Sequence, residues 1–111
     1  MNKNLPLQQE ITQLSKNMIN VIVVDDHEVI RRGLELIFQQ TPDITLAGST
    51  DDLETTIQLL HENHQTDVLL LDLEMPKANG LTVLRKVKEE FPGIRVLIYS
   101  MHPDEIYAIN C

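Results

Sequence analysis

Acidic and hydroxyl side chains directly follow three of the apolar runs in this sequence. Asp25 and Asp26 come after VIVV, Asp72 follows VLLL, and Ser100 follows VLIY. If these runs are parallel strands of one sheet and the first and third strands are neighbours, the three carboxylates converge at one edge of the sheet. Clustered carboxylates raise a pKa or destabilise the fold unless a cation compensates their charge. The sequence therefore predicts a site for a hard divalent cation, and Mg²⁺ suits carboxylate oxygens of this kind.

Taken one at a time, these residues have ordinary structural explanations. A pair of aspartates after a strand is most often a helix cap, and a single aspartate at a strand end is usually a turn former. Ser100 is also more often a cap than a ligand, although its hydroxyl can donate a hydrogen bond to a bound oxyanion. The occurrence of all three signals on one side of the predicted sheet favours a binding site.

Strand-like and helix-like patterns alternate along the chain and would position these residues. Continuous apolar runs predict strands over 21–24, 44–47, 67–73 and 94–99, and apolar residues at helical spacing predict helices over 27–40, 53–63 and 81–91. A fourth helix is predicted to begin at Pro103-Asp104-Glu105. Such alternation with short connections is typical of an α/β fold, a doubly wound parallel sheet with helices on both faces.

Composition excludes several classes of protein. The 111 residues suffice for one domain, and 17 acidic against 9 basic residues give a formal net charge of −8, which disfavours binding to nucleic acid or to anionic lipid. A single cysteine, Cys111, excludes a disulfide framework and a four-cysteine zinc site. The sequence has neither a membrane-length apolar run nor a secretory signal, so we expect a cytoplasmic protein.

The first 18 residues differ in character from the remainder. They are polar and rich in Asn and Gln, with apolar residues at spacings that a short amphipathic helix can use: Leu5, Leu7, Ile11, Leu14 and Met18. We interpret residues 1–18 as a loosely ordered leader, or alternatively as a helix that packs on the domain or on a second copy. Residues 19–111 form the predicted domain.

Three segments of the chain resemble a known family. VIVVDDHEVIRRGL, VLLLDLEMPKANGL and VLIYSMH are similar to the receiver domain of bacterial two-component response regulators, most closely of the NarL/LuxR type. The resemblance covers about residues 19–111 and has its three motifs in the family's order. It implies a flavodoxin-like (CheY-like) parallel sheet with strand order 2-1-3-4, followed in the family by a fifth strand and a last helix.

The resemblance also implies a role for each residue of the acidic edge. Asp72 matches the phosphoacceptor and Ser100 the hydroxyl that follows the phosphoryl group when the domain switches. Asp26 matches the direct Mg²⁺ ligand, Asp25 a ligand through water, and Glu74 a ligand through its main-chain carbonyl. Other matches are the residues that shape the pocket wall, Pro76 and Gly80, and those that vary the lifetime of the acyl phosphate, Glu74 and His102.

One part of the family pattern is missing. The family has a lysine at the end of its fifth strand, and Lys77, Lys86 and Lys88 do not match that position; Tyr99 does not match the family's aromatic switch residue. We therefore expect a chain that stops before the fifth strand and last helix. Such a chain would be a truncated regulator, or would self-associate through its exposed sheet edge or through the fourth helix, which carries Ile106 and Ile109.

The sequence thus predicts a signalling domain and not an enzyme. It would take a phosphoryl group from a sensor histidine kinase and control a transcriptional output domain outside these residues. The missing lysine favours one alternative, a phosphorylation-independent interaction module. A phosphatase of the haloacid dehalogenase type would need a second aspartate where Glu74 stands, and a flavodoxin would need a less acidic first loop.

Three further basic side chains, those of Arg31, Arg32 and His27, have two interpretations each. Arg31 and Arg32 either help to dock a kinase or form a solvated helix face. His27 either lies near the acidic pocket or faces solvent, whereas His61 and His64 are expected at the surface. No pair of histidines has the spacing of a known transition-metal site.

Overall fold

The computed structural model describes residues 18–75 and 79–100, and for residues 106–109 the backbone alone. The predicted leader up to residue 17 lies outside the described residues, as do Pro76, Lys77, His102 and Cys111. The expectations for these residues remain predictions.

Strands and helices alternate in the predicted order as far as residue 99. The strands are β1 (Ile19–Val24), β2 (Ile44–Thr50), β3 (Val68–Asp72), β4 (Arg95–Tyr99) and β5 (Ile106–Ile109), and the helices are α1 (Glu28–Gln39), α2 (Leu53–Glu62) and α3 (Gly80–Glu90). The observed β2 continues three residues beyond its predicted end. Its extension through Gly48 accompanies a register shift against β1 between Val21 and Ile22.

The sheet has the order β2-β1-β3-β4-β5, and its first four strands are parallel. The predicted order 2-1-3-4 is confirmed. Because β1 and β3 are neighbours in register, with Val24 opposite Leu71, the chain segments that leave these two strands emerge side by side. The sheet therefore brings the first and third strand ends together at its carboxyl edge.

The predicted fourth helix is wrong for residues 106–109, which form an antiparallel strand against β4. The sequence Ile-Tyr-Ala-Ile has branched and aromatic side chains that favour a strand, and the edge of β4 offers unpaired backbone groups to a neighbouring chain segment. These tertiary hydrogen bonds outweigh the helix-start signal at Pro103-Asp104-Glu105. Because β5 is antiparallel, it is not the parallel fifth strand of the family pattern.

The main core lies on the sheet face that α2 and α3 cover. Alternate residues of the central strands meet the inner stripes of the two helices there, with a cluster formed by Ile22, Val24, Leu60, Leu69, Leu71, Met75, Val83, Val87, Val96 and Ile98. The opposite face carries α1, which has no buried residue and exposes Val29, Leu36 and Ile37. Within the described residues, no helix has the length and apolar character required to cross a bilayer.

Candidate functional site at the carboxyl edge of the sheet

Two carboxylates are fully buried at the carboxyl edge of the sheet. Asp25 follows β1 directly and Asp72 is the last residue of β3, and both are 0% exposed. The next residue along the first loop, Asp26, is half-buried. Ligand atoms from these three residues and His27 all lie within 4.8 Å of one another. The carboxylates that the sequence predicts to converge are therefore adjacent.

Asp25 has hydrogen-bond donors on both of its carboxylate oxygens. Its Oδ1 accepts the backbone N–H of His27 at 2.8 Å and lies 2.7 Å from His27 Nδ1. Since an ionised carboxylate only accepts, the proton of this second bond resides on Nδ1. The Tyr99 hydroxyl contacts Oδ2. The Arg31 guanidinium donates to the main-chain carbonyl of Asp25 at 2.6 Å, which fixes the backbone at the end of β1.

Asp26 and Asp72 each keep one buried oxygen without a hydrogen-bond partner. These atoms are Asp26 Oδ1 and Asp72 Oδ2. His27 Nδ1 lies 3.2 Å from the first and 3.3 Å from the second, which is close enough for electrostatic attraction although neither contact is a hydrogen bond. Buried carboxylate oxygens are rarely left without a partner, so this pair suits a ligand or cation. The oxygen donor set fits a hard metal ion.

The His27 ring lies within ion-pair distance of all three carboxylates, with Nδ1 at 2.7 Å from Asp25, 3.2 Å from Asp26 and 3.3 Å from Asp72. Its hydrogen bond to Asp25 raises the pKa of His27, and the charges of Asp25, Asp26 and Asp72 add to this shift. The ring remains 39% exposed, so water reaches the same space. Of the two interpretations of His27, its position near the acidic pocket is the one observed.

The Asp72 carboxyl is held at one oxygen and open at the other. Its Oδ1 accepts the backbone N–H of Glu74 at 3.0 Å, while Oδ2 is the oxygen without a hydrogen-bond partner. Burial raises the pKa of Asp72, and the neighbouring Asp25 carboxylate raises it further, whereas the Glu74 N–H opposes the shift. The buried acidic group is thus less easily ionised than an ordinary aspartate, and a nearby cation would reverse this effect.

Backbone contacts fix the surroundings of Asp72. The N–H of Leu73 donates to the carbonyl of Tyr99 at 2.9 Å, so β3 and β4 remain paired up to the site, and Ser100 follows immediately. The first residue of α3, Gly80, lies directly against this turn. A Cβ added to Gly80 would approach Leu73 O to 2.7 Å and Asp72 O to 3.0 Å. Only glycine allows α3 to begin this close to the Asp72 backbone.

The sequence argument did not identify Tyr99 and Arg31 as residues that contact the pocket. Tyr99 follows three consecutive apolar residues of β4, and its contact with Asp25 spans 74 residues, so no local pattern predicts it. Arg32 is exposed and pairs with exposed Glu28 at 3.3 Å, as a solvated face would. His61 and His64 are exposed as predicted. The suggestion that the acidic pair caps α1 is not observed, because no side chain caps that helix.

Comparison with known proteins identifies the family. The response regulator receiver domain profile matches residues 21–111. The transcriptional regulatory protein DegU of Brevibacillus brevis is 34% identical over 98 residues, which cover 88% of this chain and 41% of DegU. The chain therefore spans less than half the length of this curated relative.

Solved structures agree with the assignment. The receiver domain of NarL from Mycobacterium tuberculosis superposes with a TM-score of 0.67 and 31% identity, over 78% of this chain and 68% of that one. RcsB, solved as two dimers bound to two parallel DNAs, superposes with a TM-score of 0.69 and 28% identity, over 77% of this chain and 46% of that one. The matched profile describes a receiver domain, which is a signalling domain, as predicted. With a matching profile, this sheet order and these relatives, the chain belongs to the response regulator receiver family.

Proposed function

We propose that this chain accepts a phosphoryl group on Asp72 from a sensor histidine kinase. The observation that carries this proposal is the asymmetry of the buried Asp72 carboxylate. One oxygen is held by the Glu74 N–H and the other has no hydrogen-bond partner and faces the acidic cluster. A carboxylate oriented by one oxygen and open at the other is suited to nucleophilic attack.

The metal of the proposed site is Mg²⁺. Asp26 offers its unpartnered oxygen and Asp72 a carboxylate oxygen, while Glu74 would contribute its main-chain carbonyl and Asp25 would act through water. When bound, Mg²⁺ neutralises negative charge on the transferring phosphoryl group. The open carboxylate oxygens and the raised pKa of Asp72 support this ligand set, because both features indicate uncompensated negative charge.

The proposed transfer is a displacement at phosphorus. Asp72 Oδ2 forms a bond to the phosphorus atom of a phosphohistidine on the kinase, and the phosphorus–nitrogen bond breaks. The imidazole nitrogen keeps that electron pair, and the product is an acyl phosphate on Asp72. Ser100 would then donate its hydroxyl hydrogen to a phosphoryl oxygen. The Glu74 N–H fixes the other Asp72 oxygen throughout and so orients the nucleophile.

The proposed partners follow from the family and from the relatives. The kinase is the phosphoryl donor, and residues 19–111 act as the receiver unit with residues 1–18 as a leader. DegU and RcsB suggest a transcriptional output beyond the matched region. Because RcsB is solved as dimers, self-association of this chain is proposed as well. β5 replaces the predicted fourth helix, so the sheet edge is the proposed contact.

The experiment that tests this function uses phosphoramidate, a small donor with the same phosphorus–nitrogen bond as phosphohistidine. Phosphate-affinity electrophoresis of the full chain should show a slower band with Mg²⁺ and none with EDTA. Asp72→Asn should not shift. The control Asp67→Asn changes the residue just before the amino end of β3, whereas Asp72 is at its carboxyl end. This variant should shift like wild type. A shifted Asp72→Asn band would contradict the proposal.

A further inference from the structure

Tyr99 makes a contact for which the proposed phosphoryl transfer has no use. It is the last residue of β4, and in the sheet register it stands opposite Asp72. β3 separates β4 from β1, so the Tyr99 side chain must reach across the end of β3 for its hydroxyl to contact Asp25 Oδ2. The ring thus spans β3, the strand that carries Asp72, and links β4 to the loop that follows β1.

This contact completes the hydrogen bonding of Asp25. His27 donates to Oδ1 from its backbone and from its ring, and Tyr99 donates to Oδ2. Asp25 is therefore the carboxylate of the cluster whose two oxygens are both held, whereas Asp26 and Asp72 each keep an oxygen without a hydrogen bond. Burial and the bond to Asp25 raise the pKa of Tyr99, so its hydroxyl stays protonated and remains a donor.

We infer that Tyr99 is a positioning residue of the cation site. It acts through Asp25 and touches neither the metal nor the phosphoryl group: its hydroxyl holds the Asp25 carboxylate in one orientation, at a fixed distance from the open oxygens of Asp26 and Asp72. The inference rests on the proposed function, because it requires that this cluster binds Mg²⁺. The inference goes beyond the proposed function because it assigns to Tyr99, in β4, an effect on the affinity for Mg²⁺.

The physical reason is that Asp25 is 0% exposed, so removing the Tyr99 hydroxyl takes a hydrogen bond away from a buried carboxylate. Without that donor, Oδ2 would lie beside two other carboxylates, and the group would rotate or displace its neighbours to reduce the repulsion. Groups that hydrogen-bond a metal-ligating carboxylate from outside typically change metal affinity by about 10–100-fold when they are removed. Loss of the Tyr99 hydroxyl should therefore weaken the site without removing a ligand.

The test compares Mg²⁺ dissociation constants from titration calorimetry on the full chain. Tyr99→Phe keeps the ring and removes the hydroxyl, and we expect Mg²⁺ to bind about 10-fold more weakly. The matched control is Thr66→Val, which removes another buried hydroxyl, bonded to the Asn63 carbonyl at 2.7 Å before the amino end of β3. Thr66→Val should bind Mg²⁺ as wild type does. Equal weakening in both variants would show a general loss of stability and overturn the inference.

A kinetic measurement separates positioning from a role in chemistry. With acetyl phosphate as donor, the Mg²⁺ concentration for half-maximal phosphorylation should rise about 10-fold in Tyr99→Phe, in proportion to the dissociation constant. The rate at saturating Mg²⁺ should stay within about twofold of wild type, because the nucleophile is untouched. A fall in the saturating rate with an unchanged Mg²⁺ requirement would overturn the inference.

Wild-type protein provides a readout that does not depend on the folding of a variant. The chain has two tyrosines and no tryptophan, so its near-ultraviolet absorption reports the tyrosines. Adding Mg²⁺ should perturb this absorption, and Tyr107→Phe should retain the perturbation. Mg²⁺ binding without any tyrosine signal, or with an unchanged affinity in Tyr99→Phe, would overturn this inference alone. Failure of wild type to bind Mg²⁺ would overturn the proposed metal site together with it.

Discussion

At the scale of single residues, the chemistry of the site comes from a difference in hydrogen bonding among three aspartate side chains. Asp25 has both oxygens hydrogen-bonded, whereas Asp26 and Asp72 each have one oxygen that is not. The positions of all three after apolar strands predict that they meet if β1 and β3 are neighbours, and these two strands are paired. The donor from Tyr99 could not be predicted, because it depends on the ring crossing a strand that is distant in sequence.

Asp26→Ala should remove the stabilisation that Mg²⁺ gives to the folded chain. For wild type, Mg²⁺ at 100 times its dissociation constant should raise the free energy of unfolding by about 2.7 kcal/mol, since the ion binds only the folded state. The variant lacks one open carboxylate oxygen and should show little of this gain in thermal unfolding. Asp43→Ala, an exposed carboxylate away from the cluster, should respond like wild type. An unchanged Mg²⁺ response in Asp26→Ala would mean that Asp26 is not a ligand.

At the scale of elements, a local sequence signal predicted a helix start correctly in one case and wrongly in another. Asp52 directly precedes the helix predicted over 53–63, at a position where aspartate favours a helix start, and its carboxylate accepts the N–H of Thr55 at 2.6 Å. The start signal at Pro103 was not reliable, because residues 106–109 pair with β4 instead. A helix cap needs only neighbours in sequence, whereas an edge strand depends on what the rest of the sheet offers.

Asp52→Ala should lower the free energy of unfolding by about 1 kcal/mol at pH 7, since an N-terminal cap of α2 is lost. The hydrogen bonds from Thr55 lower the pKa of Asp52 below its ordinary value of 3.8. A lowered pKa in the folded state gives stability that is present above pH 3.8 and disappears as the pH falls through the folded-state pKa. The deficit of the variant in chemical denaturation should therefore shrink in acid.

Asp52→Asn provides the control for this pH dependence, since asparagine caps a helix but carries no charge. It should keep most of the stability at pH 7 and show less dependence on acid. A deficit in Asp52→Ala that stays constant down to pH 2 would contradict the assigned role of the ionised carboxylate.

Gly80→Ala should destabilise the chain by about 1–3 kcal/mol, because the added methyl group would meet backbone atoms of Leu73 at 2.7 and 2.8 Å. The displaced turn follows Asp72 directly, so phosphorylation should also slow. Gly33→Ala is the matched control: it lies within α1 with no atom within 4 Å of an added Cβ, and should stabilise the chain by about 0.5–1 kcal/mol. Equal effects in urea denaturation would disprove the close approach at Gly80.

At the scale of the whole molecule, the apolar runs predict four parallel strands, and the resemblance to the receiver family predicts their order. The order 2-1-3-4 is the one observed, with α2 and α3 on one face of the sheet. The antiparallel β5 was not predicted, because the start signal at Pro103 favoured a helix over these residues. Its position at the end of the sheet makes it an edge strand in the described residues.

We expect the chain to self-associate through this edge. Sedimentation velocity over a range of concentrations should show a species larger than the monomer at the highest concentrations, because an edge strand presents unpaired backbone groups to a second copy. Val29→Lys, a change on the exposed surface of α1, should leave the association unchanged. A monomer at every concentration would contradict pairing at the edge, and loss of association in Val29→Lys would transfer the contact to α1.

The central claim is that Asp72 is the phosphoacceptor, and intact mass spectrometry after incubation with acetyl phosphate and Mg²⁺ tests it most directly. Wild type should gain the mass of one phosphoryl group. Asp72→Asn should gain none while remaining folded and at least as stable in EDTA, since it removes a buried charge beside Asp25. Phosphorylated Asp72→Asn, or folded wild type that stays unmodified, would contradict the account.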